Sequence, residues 1–149
     1  MAMKLKMRQL LAAAALLLLA QGAGAAVEDL ADRFLDTAAV KTDRYGGTDV
    51  LVNFPMLVRI SPEAIPGFDY ALAGKNGANI RFTTCEYDEK GGTNVLERLT
   101  PHEIDTWDEA GTSLVWVRIH KLRAGGATRV RMWWNPRPGA ALPANDPAA

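Results

Sequence analysis

The sequence predicts an all-β protein, an antiparallel β-sandwich of jelly-roll-like type, preceded by a signal peptide and a short amphipathic helix. Three observations predict it. From Gly46 onward, β-branched and aromatic residues dominate and are punctuated by Gly, Pro, Asn and Asp, the composition of short strands joined by turns. These runs follow one another without the strand–helix alternation that a parallel sheet requires. Finally, Val130, Met132 and Trp134 alternate with Arg129, Arg131 and Trp133, the period-two pattern of a strand buried on one face.

Residues 1–25 read as an export signal. Lys4, Lys6 and Arg8 form a positive segment, Leu10 to Ala20 is an unbroken apolar run, and Ala23 and Ala25 satisfy the small-residue rule for cleavage after Ala25. The run falls well short of the roughly 20 apolar residues that a membrane-spanning helix needs. No cysteine follows it, so a lipid-anchored form is excluded. The expectation is an exported protein, periplasmic or extracellular, with no membrane span in the mature chain. Residues 26–44 form an N-terminal extension in which Val27 to Ala39 carries apolar Val27, Leu30, Ala31, Phe34 and Leu35 at helical spacing. Its acidic residues cluster in the first turn, where they complement the helix dipole.

The β domain is expected over residues 45–136. Asp49 to Ile60 supplies a first strand, and Pro55, which cannot donate a ladder hydrogen bond, marks it as an edge or a bulge. Further strands are read at Asn79–Thr84, Asn94–Glu97, His102–Trp107, Ser113–Ile119 and Thr128–Trp134. In the Ser113–Ile119 strand, Leu114, Trp116 and Arg118 face one way and Val115, Val117 and Ile119 the other. Lys121 to Ala127 is short enough to join the last two strands as antiparallel neighbours. Residues 137–149, rich in proline and alanine, read as a linker or loose tail.

Composition excludes several classes. Seventeen basic side chains balance 17 acidic ones, and losing Lys4, Lys6 and Arg8 with the signal leaves the mature chain mildly acidic. That removes the electrostatic footprint of a nucleic-acid binder. A single cysteine, Cys85, rules out an internal disulfide or a cysteine-rich zinc site, and it is expected to be buried and inert.

An ordered series of motifs then carries a family resemblance: Asn53-Phe54-Pro55-Met56-Leu57-Val58-Arg59-Ile60, Gly77-Ala78-Asn79-Ile80-Arg81-Phe82, Pro101-His102-Glu103-Ile104-Asp105-Thr106-Trp107, Gly111-Thr112-Ser113-Leu114-Val115-Trp116-Val117-Arg118-Ile119, and Met132-Trp133-Trp134-Asn135-Pro136. Over about residues 45–136 the chain resembles the bacterial family called domain of unknown function 2341. The resemblance implies an exported β-sandwich module of the kind placed beside lectin-like domains or proton-channel subunits that energise outer-membrane transport. It implies no catalytic residue. The chain departs from the family pattern at Asn79, where Asp is usual, at His120, where Pro is usual, and by lacking a glycine between Trp134 and Asn135. Relatives continue where this chain stops, so a truncated periplasmic segment of a proton-channel (biopolymer transport) protein is the alternative to a stand-alone module.

Three constellations stand out as candidate sites. Alternation that buries Val130, Met132 and Trp134 turns Trp133 outward between Arg129 and Arg131, the arrangement of an aromatic platform for a glycan or an envelope protein. On this reading Trp107, Trp116 and Trp134 are core filler. Arg81, embedded in a strand, needs a partner, and Glu103 is the expected one, in a structural ion pair that fixes two strands in register. Glu103 and Asp105 share one strand face. With Asn79 they would supply part of the six-to-eight-oxygen shell of calcium, or on their own the paired carboxylates of a hydrolytic accessory enzyme. The function predicted from the whole is an exported, non-catalytic recognition or spacer module.

Overall fold

The structure is a computed structural model, and it describes residues 30–86, 96–125 and 128–145. The expected signal peptide, the first half of the expected Asn94–Glu97 strand and the start of the extension at residues 26–29 lie outside these residues. The protein is built from antiparallel strands: β1 (Phe34–Val40), β2 (Leu51–Ile60), β3 (Arg81–Glu86), β4 (Leu96–Thr100), β5 (His102–Thr106), β6 (Ser113–Leu122) and β7 (Arg129–Pro136). They form a four-stranded sheet in the order β1-β7-β3-β4 and a three-stranded sheet in the order β2-β6-β5. Among the described residues no helix is long and apolar enough to cross a membrane.

One core lies between the two sheets. The three-stranded sheet contributes Val58 and Ile60 from β2 and Val115, Val117, Ile119 and Leu122 from β6; the other contributes Phe82, Val130, Met132 and Trp134. Ile65, Phe68, Ala73 and Ile80, from the segment between β2 and β3, complete it. Two short 3-10 turns in that segment, Tyr70–Leu72 and Lys75–Gly77, set a tyrosine pin in place. The Tyr70 hydroxyl donates to the Ile60 carbonyl at 2.7 Å and accepts from the Ser113 amide at 3.2 Å, tying the end of β2 to the start of β6. Gly77 holds φ 72°, and a Cβ there would come within 2.6 Å of the Trp107 ring, so glycine is what lets that indole close over the loop.

Four sequence expectations are corrected. First, the amphipathic helix over Val27–Ala39 does not form across its second half: Phe34–Val40 is the strand β1, paired with β7 from Phe34↔Pro136 to Val40↔Val130. Leu30 and Phe34 are buried, but their apolar surface is covered by a sheet face, and the ladder with β7 satisfies the backbone that a helix would otherwise have paired internally. Second, β6 and β7 are not neighbours. Their apolar faces oppose each other across the core, so the Lys121–Ala127 connection crosses from one sheet to the other.

Third, the tail is not loose over its described part. Residues 137–145 form neither helix nor strand, yet the Arg137 amide donates to the Arg33 carbonyl at 2.8 Å, and Arg33 donates to the carbonyl of Ala141 at 2.6 Å. Asn145 closes a two-way bond with the His102 backbone, accepting its amide at 3.0 Å and donating to its carbonyl at 2.8 Å. Fourth, period-two alternation along the expected His102–Trp107 strand would set Trp107 on the outward face with Glu103 and Asp105, and it does not lie there. The ladder between β5 and β6 slips between Ile104 and Thr106, making Asp105 the extra residue of a bulge. The slip inverts the alternation beyond it and turns Trp107 inward onto Tyr70, ring centroids 5.2 Å apart.

Asn135, with φ 56°, takes the left-handed conformation that a glycine would adopt without cost. Its Nδ2 donates to Asp36 Oδ2 at 2.6 Å, which anchors the exit of β7 to β1.

Candidate functional site

Trp133 is not a surface platform. It is 3% exposed, in a second apolar cluster with Leu30 and Phe34 against which Leu99 and Leu142 pack. The alternation of β7 is as expected, with Trp134 in the main core and Trp133 on the opposite face. What periodicity along β7 could not show is that chain segments from both ends of the domain cover that opposite face. The Trp133 Nε1–H donates to the Thr83 hydroxyl at 2.9 Å, and Thr83 in turn donates to Glu97. Arg131 lies 3.7 Å from Glu97, and Arg129 is exposed opposite Cys85 in the ladder. The predicted Arg129–Trp133–Arg131 platform is therefore a buried indole beside a polar network.

Arg81 does not pair with Glu103, because β3 and β5 belong to different sheets. Its guanidinium instead donates to three carbonyls: Nε to Pro143 at 2.7 Å, and one terminal nitrogen to Ala78 at 3.0 Å and to Ile80 at 2.6 Å. Burial lowers its pKa from the ordinary value. A buried cation satisfied by carbonyl dipoles avoids the cost of an unpaired charge without needing a carboxylate. Arg81 thus serves as a clasp for the tail.

Beside it, His102 is buried on the inner side of β5, its ring 5.1 Å from Phe82 in an edge-on contact. Burial first, and the Arg81 charge second, push its pKa down to about 4, so the imidazole is neutral at pH 7. Its Nδ1 is buried without a hydrogen-bond partner among the described residues. Cys85 is buried and free, and burial together with the Glu97 carboxylate pushes its thiol up, which keeps it protonated and unreactive.

Glu103 and Asp105 are exposed on edge strand β5, as alternation required. Asn79 does not join them. Its side-chain amide lies against the Gly74 backbone, where a Cβ would come within 2.6 Å of it. Among the described residues no three His, Cys, Asp or Glu side chains gather to hold a metal ion. The calcium set of Asn79, Glu103 and Asp105 is thus split between a loop and a strand face.

The surface that does gather chemistry is the outer face of the three-stranded sheet. Trp116, on the central strand β6, is 40% exposed there, a correction to its expected place in the core. Directly opposite it in the ladders stand Leu57 on β2 and Glu103 on β5, forming one row of acid, indole and aliphatic side chain across the sheet. The next row pairs Pro55 with Arg118. Beside the indole an open groove of about 200 Å³ is lined by Asn53, Pro55, Glu103, Trp116 and Arg118, among others. Pro55 gives it a rigid wall. Asn53, at φ 52°, kinks β2, so that Val52 is turned out to solvent although its parity with Phe54 would turn it in.

Backbone bonds fix Arg118 in place: its amide donates to the Pro101 carbonyl at 3.0 Å, and its carbonyl accepts from the Thr100 hydroxyl. The groove beside the indole is thus lined by an acceptor, a guanidinium donor and an amide carried on paired strands. The sequence reading missed this site, although its own alternation had already set Trp116 beside Arg118 and opposite the apolar Val115–Val117–Ile119 face. Comparison with protein-family models, with curated proteins and with solved structures finds no match for this chain.

Proposed function

We propose that the chain is an exported recognition module, a jelly-roll-like β-sandwich, that binds a glycan of the cell envelope on the outer face of its three-stranded sheet. The observation that carries this reading is Trp116, an indole left exposed at the middle of a strand and flanked in register by Leu57 and Glu103. A sugar ring presents an apolar C–H face and an equatorial rim of hydroxyls. An exposed aromatic plane answers the first, and Glu103, Arg118 and Asn53 answer the second with one acceptor, one donor and one group that is both. Side chains projecting from strands are held in place before the ligand arrives, which lowers the ordering cost of binding.

Export rests on the charged, apolar and small-residue segments of residues 1–25. The resemblance to the family called domain of unknown function 2341 belongs to the same proposal, and so does the alternative that the chain is the periplasmic portion of a proton-channel assembly. Recognition is favoured over hydrolysis because Glu103 and Asp105 are both exposed, and Asp105 accepts a hydrogen bond from the neighbouring Thr106 hydroxyl at 3.0 Å. A glycoside hydrolase sets its two carboxyl groups on either side of the scissile bond, whereas these two lie on one exposed edge strand.

The test is retention of the folded protein on insoluble peptidoglycan and on a panel of polysaccharides. Trp116→Ala is expected to abolish retention, a loss of at least about tenfold in affinity for a stacked aromatic, while leaving the thermal midpoint nearly unchanged. Retention by Trp116→Ala equal to that of the parent would overturn the assignment.

A further inference from the structure

A second groove, of about 330 Å³, opens under the segment that joins β1 to β2, at the free edge of β2. Its wall is apolar: Phe54, Met56 and Leu57 from β2, Leu122 from the end of β6, and Tyr45 from the joining segment. Met56, Tyr45 and Leu122 also belong to the main core, so the groove is a place where the core reaches the surface. Phe54 sits opposite the fully buried Ile119 and so points toward the inside of the protein, yet it remains 37% exposed, and among the described residues no strand pairs with β2 beyond β6.

The rim carries charge of one sign. Lys41 and Arg44 line the groove, and neither is engaged in a hydrogen bond or ion pair within the described residues. Asp43, which lies between them in sequence, lines not this groove but the adjoining one beside Thr128–Arg131, which Lys41 also borders. The joining segment therefore gives this groove two cations and no carboxylate.

We infer that this groove is a binding site for a single-chain anionic amphiphile, with its carboxylate or phosphate at Lys41 and Arg44 and its alkyl chain along Phe54, Met56 and Leu122. The volume falls in the range of small-molecule sites, roughly 300–1,000 Å³, and an apolar cleft with a few convergent polar groups is their usual composition. Charge decides the class of occupant. A neutral alkane chain would satisfy the wall but leave the two cations unanswered, whereas an anionic head gains charge-assisted bonds there. Each methylene drawn out of water raises affinity about fourfold, so binding should tighten with chain length until the groove is full. The inference does not depend on the glycan reading: of the residues named for the two sites only Leu57 is shared, and Trp116 does not line this groove.

The experiment is calorimetric titration of the full chain with decanoate, decyl phosphate, decan-1-ol and acetate, each below its micellar concentration, together with the thermal midpoint at saturation. Decanoate and decyl phosphate are expected to bind at one site and to raise the midpoint, decan-1-ol to bind at least tenfold more weakly, and acetate not at all. The double charge reversal Lys41→Glu with Arg44→Glu should cost decanoate at least tenfold while leaving the decan-1-ol affinity unchanged, which separates loss of the head-group site from loss of the fold. Phe54→Ser should weaken all three chain-bearing ligands, and Trp116→Ala should weaken none of them. Equal affinity for decanoate and decan-1-ol, unchanged decanoate binding in the charge-reversed protein, or no binding of either anion would each overturn the site. A preference for decyl phosphate over decanoate would point to a phospholipid source and the reverse to a free fatty acid, and either outcome supports the anionic-amphiphile class.

Discussion

Replacing Trp133 with alanine is expected to destabilise the fold by about 3–5 kcal/mol, the usual cost of emptying a buried tryptophan site. The indole is the largest member of the cluster with Leu30 and Phe34, and its centroid lies 6.4 Å from the Phe34 ring. Removing it unpacks the segment entering β1 and strips Leu142 and Leu99 of their contact. It also takes the donor from Thr83, whose hydroxyl is fully buried and leads on to Glu97. Against a total stability of roughly 5–15 kcal/mol, such a loss leaves a substantial unfolded fraction at moderate temperature. Trp133→Phe should keep most of the volume and cost about 1–2 kcal/mol, chiefly the lost hydrogen bond. Trp116→Ala, at an exposed position, should cost less than about 1 kcal/mol. Chemical denaturation of the three variants reads this order directly. If Trp116→Ala proves the most damaging of the three, the assignment of the two faces is inverted.

The second large effect is acid sensitivity through His102. Its folded pKa is about 4 against an ordinary 6.5, because the charged imidazolium would sit out of water and beside the Arg81 guanidinium. A group whose folded pKa is depressed takes up its proton more readily in the unfolded chain. Its neutral form therefore contributes full stability above pH 6.5, and that contribution is lost as pH falls from about 6.5 through 4. The gap between the ordinary and the folded value corresponds to about 3 kcal/mol at most. His102 carries the backbone groups that Asn145 grips, and Arg81 holds Pro143, so the tail clasp is expected to loosen first in acid. His102→Phe removes the titrating group, and the orphaned Nδ1 means that no hydrogen bond of that atom is lost. Its unfolding midpoint should stay flatter than the parent's between pH 6.5 and 4. Parallel pH profiles for the two proteins would contradict this account.

Much of the fold was legible because strand periodicity is a local property. Val115, Val117 and Ile119 against Trp116 and Arg118, and Val130, Met132 and Trp134 against Arg129, Arg131 and Trp133, name their faces without any knowledge of partners. What lies on each face is not local. Alternation alone leaves Trp133 exposed, since nothing local says that Leu30, Phe34 and Leu142 return to cover it. The helical pattern over β1 fails for a related reason. Val27, Leu30, Ala31, Phe34 and Leu35 satisfy a helical stripe, while the ladder to β7 that settles the matter lies almost a hundred residues away. Glu103 was offered to Arg81 on charge alone, and carbonyls supplied by the fold satisfied the guanidinium instead. The bulge at Asp105 and the left-handed Asn53 each reset parity where alternation predicts continuity.

The central claim is that the outer face of the three-stranded sheet, and not the Trp133 face, is the recognition surface. The most direct measurement is a nuclear magnetic resonance titration with soluble peptidoglycan fragments and oligosaccharides that follows the four indole N–H signals. The account predicts that the Trp116 signal moves in a saturable way, with backbone shifts confined to β2, β5 and β6 around Leu57, Glu103 and Arg118, while the Trp133 and Trp134 signals stay in place. Shifts centred on Trp133, Arg129 and Arg131, or saturable binding that leaves Trp116 unmoved, would contradict it.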